Sequence, residues 1–265
     1  MSGGTFKEVF VDADGFHIRY VEAGSGEPVI CLHGGGGLHL SPAYERLAQD
    51  FRVIAFEMPG FGSSPENLRS SSTADLARTM THAVEALGIE KHGLIGHSFG
   101  SKVTLQMAIQ KPDAVDAIVL IAPGAVRDVT GPIPTRVARE EAIRLLYAHP
   151  ERQTEPLFPE PEIVAKHVAL IGRMKEPGRD QPFEEKLAAL SMPVLALFGT
   201  RDEVTPPEGA HLYRNVLKNC YITLVYDAAH AVDCDRPEAV ASVIGNFLAR
   251  KDQFFVRNTS SLLYP

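Results

Sequence analysis

Gly96-His97-Ser98-Phe99-Gly100 is the stretch on which the reading of this chain turns. Ahead of it, Gly93-Leu94-Ile95 reads as the end of a buried strand; behind it, residues 101–110 read as a helix. A G-x-S-x-G between strand and helix marks a sharp turn that holds a serine in a strained conformation at the tip of a sheet. Glycine is needed at 96 and 100 because any bulk there would strike the neighbouring turn. The helix N-terminus under the serine favours negative charge as it develops. Ser98 is therefore the candidate nucleophile.

Working outward, eight apolar runs read as strands: residues 6–11, 16–21, 28–32, 52–56, 93–95, 115–122, 193–198 and 221–226. The first two flank the turn Asp12-Ala13-Asp14-Gly15 and read as an antiparallel hairpin. Helices are expected near 43–49, over 73–87 with Thr73 as N-cap and Gly88 as stop, near 207–216 and over 237–249. Alternation stops between 123 and about 191, where only helices at 135–148 and 162–174 are expected, joined by proline-rich connectors. The fold class is α/β: a mainly parallel, eight-stranded, doubly wound sheet. Residues 1–123 and 192–265 form its core, and 124–191 form a helical insertion after the sixth strand. The tail from 252 carries Phe254, Phe255, Leu262, Leu263 and Tyr264, and is expected to pack on the body or on a second copy in a homodimer.

The 265 residues carry a net charge of −7, which argues against nucleic acid or an anionic membrane as partner. No apolar run approaches a membrane span, and the N-terminus has no signal-peptide core, so a cytoplasmic location is expected. Cys31, Cys220 and Cys234 lack metal-ligand spacing and are expected to be buried, reduced thiols. No metal or cofactor is expected.

Ligand sites in such sheets lie at the carboxyl ends of strands, so any partner of Ser98 should follow a strand. Asp202 follows the seventh strand and His230 the eighth, which makes them the candidate acid and base. Glu203 and Asp128 are the rival acids. His82, His92, His149, His167 and His211 are misplaced for a base and are expected to be surface or structural. His97, inside the turn, should point away from the serine. An oxyanion hole needs two backbone N–H groups; Phe99, after the nucleophile, and Gly35, in the glycine run Gly34 to Gly37, are the candidates. His33, Gly34, Gly36 and His97, with Leu146 and Val168 of the insertion, are the candidate pocket walls. Ile143, Tyr147, Val164 and Ile171 are further apolar positions of the insertion, most of them expected to pack within it.

These motifs together resemble the α/β-hydrolase superfamily over residues 6–249. His33-Gly34-Gly35-Gly36 resembles its oxyanion motif, Met58-Pro59-Gly60-Phe61-Gly62-Ser63-Ser64 the loop after its fourth strand, and Asp235-Arg236-Pro237-Glu238 the segment after its histidine. Two positions depart from the pattern: Glu57 stands where an aspartate is usual, and Ala229 where a glycine is usual. The resemblance implies that the insertion caps an active site. A serine at the turn argues against the aspartate-dependent dehalogenase- and epoxide-hydrolase-like branches. The expected reaction is hydrolysis of a small or medium carboxylic ester through an acyl-enzyme. The alternatives are a hydrolase of carbon–carbon bonds in dienoic or diketone acids, with Arg173, Lys175 or Arg136 holding the substrate carboxylate, a cofactor-free perhydrolase resembling haloperoxidases, and a non-catalytic receptor.

Overall fold

The computed structural model describes residues 5–128, 131–153, 159–174 and 177–254. In chain order the elements are β1 (Lys7–Ala13), β2 (Phe16–Ala23), β3 (Pro28–Leu32), α1 (Pro42–Leu47), β4 (Arg52–Phe56), α2 (Thr73–Ala86), β5 (His92–His97), α3 (Phe99–Gln110), β6 (Val115–Ile121), α4 (Arg139–Leu146), α5 (Pro161–Arg173), α6 (Gln181–Leu187), β7 (Val194–Gly199), α7 (Ala210–Val216), β8 (Cys220–Val225), α8 (Val232–Asp235) and α9 (Pro237–Arg250). All eight expected strands form.

They make one sheet in the order β1-β2-β4-β3-β5-β6-β7-β8. β1 pairs β2 and β2 pairs β4 antiparallel; every later pairing is parallel. The central parallel strands are apolar over most of their length because both their faces are covered, while the edge strand β8 leaves Leu224 exposed. On β3 and β4, Ile30, Leu32, Ile54 and Phe56 face the layer that holds α2 and α3. Val29, Cys31, Val53 and Ala55 face α1 and α9. The sheet is thus sealed on both sides, and its carboxyl edge is left to hold polar chemistry. Cys31, Cys220 and Cys234 are buried, free thiols. Among the described residues no helix is long and apolar enough to cross a membrane.

Several boundaries differ from expectation. The N-cap of α2 is Ser72, not Thr73. Its hydroxyl accepts from Asp75 N–H while the Asp75 carboxylate reaches back to the Ser72 backbone, a complete capping box. The helix expected over 135–148 is divided: a 3-10 turn covers Pro134–Arg136, Val137 is extended, and α4 begins at Arg139. α6 forms where the sequence offers only a proline-rich stretch, because a proline in the first turn starts a helix well. Asp180 caps it by accepting from Phe183 N–H at 3.4 Å. Of the expected packing tail only the start is described. Phe254 lies against Tyr221 and Phe247 at ring-centroid distances of 5.7 and 5.3 Å; Phe255, Leu262, Leu263 and Tyr264 lie outside the described residues.

Candidate active site

The turn between β5 and α3 puts Ser98 at φ 49° and ψ −112°, a strained conformation for a side-chain-bearing residue. A Cβ on Gly96 would lie 2.4 Å from Thr104 Oγ1, and one on Gly100 2.4 Å from the His33 carbonyl. Both glycines are thus required by the close approach of neighbouring backbone and side chain. Ser101 Oγ donates to the Ser98 carbonyl at 2.5 Å and accepts from Gly124 N–H at 3.1 Å, tying the turn to the strand end beside it.

Asp202 and His230 converge on Ser98 from the ends of β7 and β8. His230 Nδ1 donates to Asp202 Oδ2 at 2.9 Å, which leaves Nε2 bare, 2.8 Å from Ser98 Oγ. Val204 and Thr205 N–H groups donate to Asp202 Oδ1 at 2.8 and 2.9 Å, and the Thr205 hydroxyl donates to Oδ2 at 2.8 Å. Burial alone would push the Asp202 carboxyl up. The charge on His230 and the hydrogen bonds from His230 and Thr205 outweigh it and hold the group below the ordinary carboxylate range. The rivals face elsewhere. Glu203 is exposed and pairs with Arg144 at 2.6 Å; Asp128 pairs with Arg179 at 2.8 Å. His82 and His211 are exposed, while His92 and His167 are buried. His149 pairs with Asp227 at 2.9 Å.

The glycine run lies against this centre. His33 Nε2 accepts from Met58 N–H at 3.0 Å, so its proton sits on Nδ1, which donates to the Gly34 carbonyl at 2.7 Å. Burial keeps His33 neutral, its pKa lowered to about 3. His33 therefore braces the loop from behind. A Cβ on Gly34 would stand 2.9 Å from His97 Nδ1 and 3.3 Å from Ser98 Cβ, so this glycine permits the loop's approach to the serine. Gly36 has open space around it. His97 points away from Ser98 Oγ: its Nε2 donates to the main-chain carbonyl of His230 at 3.1 Å. It supports the base loop.

The insertion is anchored at two places. Lys166 Nζ donates to the carbonyls of Gly62 and Ser64 at 2.8 and 2.6 Å, and Gly62 N–H donates to His167 Nε2 at 2.9 Å. Arg173 donates to the carbonyls of Ser70 and Asn67. These bonds fasten α5 to the loop after β4, and they bring Ile171 Cδ1 to 3.1 Å from a Cβ placed on Gly35. The second anchor is Asp235, fully buried, whose carboxylate accepts from the N–H groups of Ala148, His149 and Ala229 at 2.9, 3.0 and 2.8 Å. Ala231 N–H donates to the Leu146 carbonyl at 2.7 Å, which sets Leu146 beside the base loop.

Two expectations are corrected by these contacts. Val168 is 40% exposed. The buried side of α5 carries His167, Leu170 and Ile171, and Val168 falls one step round the helix from it. Arg173 is spent on backbone carbonyls, and Arg136 is exposed; Lys175 lies outside the described residues. Glu57 is no idle departure: it takes Arg19 at 3.2 Å and accepts from Ser63 Oγ, Ser64 N–H and Ser64 Oγ at 3.2, 3.2 and 3.0 Å, shaping the loop on which α5 rests. The sequence assigns no role to Thr205, whose only signal is a hydroxyl three residues after a candidate acid. It marks His167 only as surface or structural and Asp235 only within the segment after the histidine, and their partners come from the structure.

A sheet of this order, with a strained serine after β5, an aspartate after β7 and a histidine after β8, defines a hydrolase architecture. The α/β hydrolase fold family model matches residues 27–166. The chain belongs to the α/β hydrolase fold family. It is 26% identical over 271 residues to 2-hydroxy-6-oxo-6-(2'-aminophenyl)hexa-2,4-dienoic acid hydrolase of Metapseudomonas resinovorans, covering 94% of this chain and 93% of that one. It is 35% identical over 154 residues to 2-hydroxy-6-oxo-6-phenylhexa-2,4-dienoate hydrolase of Comamonas testosteroni, covering 54% and 52% of the two chains. Among solved structures, 2-hydroxy-6-oxo-6-phenylhexa-2,4-dienoate hydrolase of Rhodococcus sp. strain RHA1 superposes with a TM-score of 0.78 at 21% identity, over 93% of this chain and 99% of that one.

Proposed function

We propose that the protein is a serine-dependent hydrolase that cleaves a carbon–carbon bond next to a ketone in a small dienoic acid. The observation that carries the chemistry is the chain of contacts Ser98 Oγ, His230 Nε2, His230 Nδ1, Asp202 Oδ2. The names of the near-full-length relatives support the bond type and favour it over the ester expected from the sequence. Ser98 Oγ adds to the carbonyl carbon as its proton passes to His230 Nε2. The oxyanion takes N–H donors from Gly35 and Phe99. The tetrahedral adduct collapses with its carbon–carbon electron pair going to the neighbouring carbon, which His230 protonates. For this the dienol must first ketonise, losing its hydroxyl proton and gaining a proton on the carbon beside the ketone. The electron pair left on that carbon is then conjugated through the remaining double bond to the new carbonyl at the acid end, which spreads the charge. Water, deprotonated by His230, then adds to the acyl group and frees Ser98. α5 and the segment around Leu146 act as a cap that shapes the pocket, Ile171 standing over the oxyanion loop.

Ester hydrolysis by the same residues is the second reading. It is favoured by the engagement of Arg173 elsewhere, which removes one expected holder of a substrate carboxylate. The test offers 2-hydroxy-6-oxo-6-phenylhexa-2,4-dienoate and p-nitrophenyl butyrate to wild type and to Ser98→Ala. Benzoate released by wild type alone supports carbon–carbon cleavage; turnover of the butyrate alone replaces it with the ester reading.

A further inference from the structure

We propose that Thr205 is a positioning residue of the relay, tuning His230 through the oxygen of Asp202 that both residues share. This rests on the reading of Ser98 and His230 as nucleophile and base. Thr205 Oγ1 donates to Asp202 Oδ2 at 2.8 Å, the oxygen that receives His230 Nδ1–H at 2.9 Å. The same hydroxyl oxygen stands 3.3 Å from His230 Nδ1. All three side chains are buried, so solvent does not dilute the effect. The backbone of Thr205 is fixed as well, its N–H donating to Asp202 Oδ1. The hydroxyl is thus held in place by the acid it serves.

The physical consequence has a definite sign. A donor on Oδ2 draws charge from the carboxylate and makes it a weaker partner for the imidazolium. With the hydroxyl present the acid grips the imidazolium formed during reaction less tightly than it would alone, so the pH profile of the reaction should lie lower than in a chain without the hydroxyl. The contact at 3.3 Å opposes this by offering Nδ1–H a second acceptor. It is the longer and uncharged interaction, so the donation to the carboxylate decides the direction. The other ionisable groups facing His230 are His97 at the end of β5, ring to ring at 5.2 Å, and behind it Asp233 on α8. Neither touches Oδ2, so replacing Thr205 leaves them in place.

The experiment compares wild type, Ser98→Ala, Thr205→Val and Thr205→Ser. Each is labelled with a fluorophosphonate and followed by intact mass across pH. Wild type should label and Ser98→Ala should not. In Thr205→Val the midpoint of the rate should move up by about half a pH unit, which lowers labelling below the midpoint about threefold. Thr205→Ser should return to the wild-type midpoint. Melting temperatures are read alongside, and Thr205→Ala is the second hydroxyl-free variant if Thr205→Val does not fold. Wild type labelled, with the valine and serine variants sharing one midpoint, overturns the proposal and spares the relay. Wild type unlabelled removes the relay itself, and the role of Thr205 with it.

Discussion

The Nε2–H of His97 donates to the main-chain carbonyl of His230 across 3.1 Å. The strand that presents the serine therefore also holds the backbone of the residue that faces it. Loss of this bond should let the base loop drift. His97→Leu keeps bulk but no donor, and should lower kcat by about 10- to 100-fold, because displacement of about 1 Å in a catalytic group costs that much. His97→Gln carries an N–H near the same place and should recover most of it. Equal activity in the two variants, measured as kcat on the substrate found active, would reduce His97 to a space-filler.

Ser98→Ala should leave the melting temperature unchanged and cut turnover by roughly 10⁴- to 10⁶-fold, with His230→Ala similar. Asp202→Asn should cost about 10⁴-fold by disturbing the tautomer of His230. Glu203→Gln should be near wild type, since Glu203 is engaged with Arg144 on the surface. Turnover should survive dialysis against EDTA, because every step is assigned to side chains and backbone donors.

Ile171 stands over Gly35 and should limit the group that fits beside the oxyanion loop. Ile171→Ala should raise kcat/KM for bulkier acyl groups about 10-fold relative to small ones, each methylene in such a pocket being worth about 1–3 kcal/mol. A p-nitrophenyl acetate, butyrate and octanoate series reads it, if esters are turned over. Otherwise 6-methyl and 6-phenyl dienoates serve. An unchanged preference order would place the pocket elsewhere.

Acid should begin to weaken the fold above the pH range in which free carboxylates titrate. Burial holds His33 at about 3 and His92 and His167 at about 4, against 6.5 for a free histidine. The folded values are lowered, so this contribution is complete above about pH 6.5 and is lost as pH falls toward the folded values. Each unit of difference is worth about 1.4 kcal/mol. His92 gives the cleanest test, because its Nδ1 is buried with no hydrogen-bond partner. The melting temperature of wild type should fall between about pH 6.5 and 4, and His92→Leu should flatten that fall. Parallel curves for the two proteins would count against the buried-neutral assignment.

The features legible in the sequence were those fixed by local chemistry at strand ends. Gly96 and Gly100 announce a turn that only glycine can make, and Asp202 and His230 each follow an apolar run that reads as a strand. The convergence of Ser98, Asp202 and His230 then follows from parallel topology alone. Residues whose partners are distant in the chain were not legible. His167 matters because Gly62 faces it across the insertion, and Asp235 because three amides from two segments point at it. Neither relation leaves a periodic or compositional trace. Val168 was misplaced for a different reason: the apolar positions of α5 are dense enough that sequence alone does not choose the helix phase, and packing on the loop after β4 chose it.

Asp235 also bears on how this scaffold can be rebuilt. Its charge is matched by two amides of the insertion and one of the base loop. Grafting another enzyme's segment between β6 and β7, so that the site stays covered without the amides of Ala148 and His149, would strand that carboxylate in a dry interior with most of its donors gone, at a cost of several kcal/mol. Chimaeras that exchange the insertion should therefore carry residue 235 with it, or neutralise it, if the histidine is to keep its station.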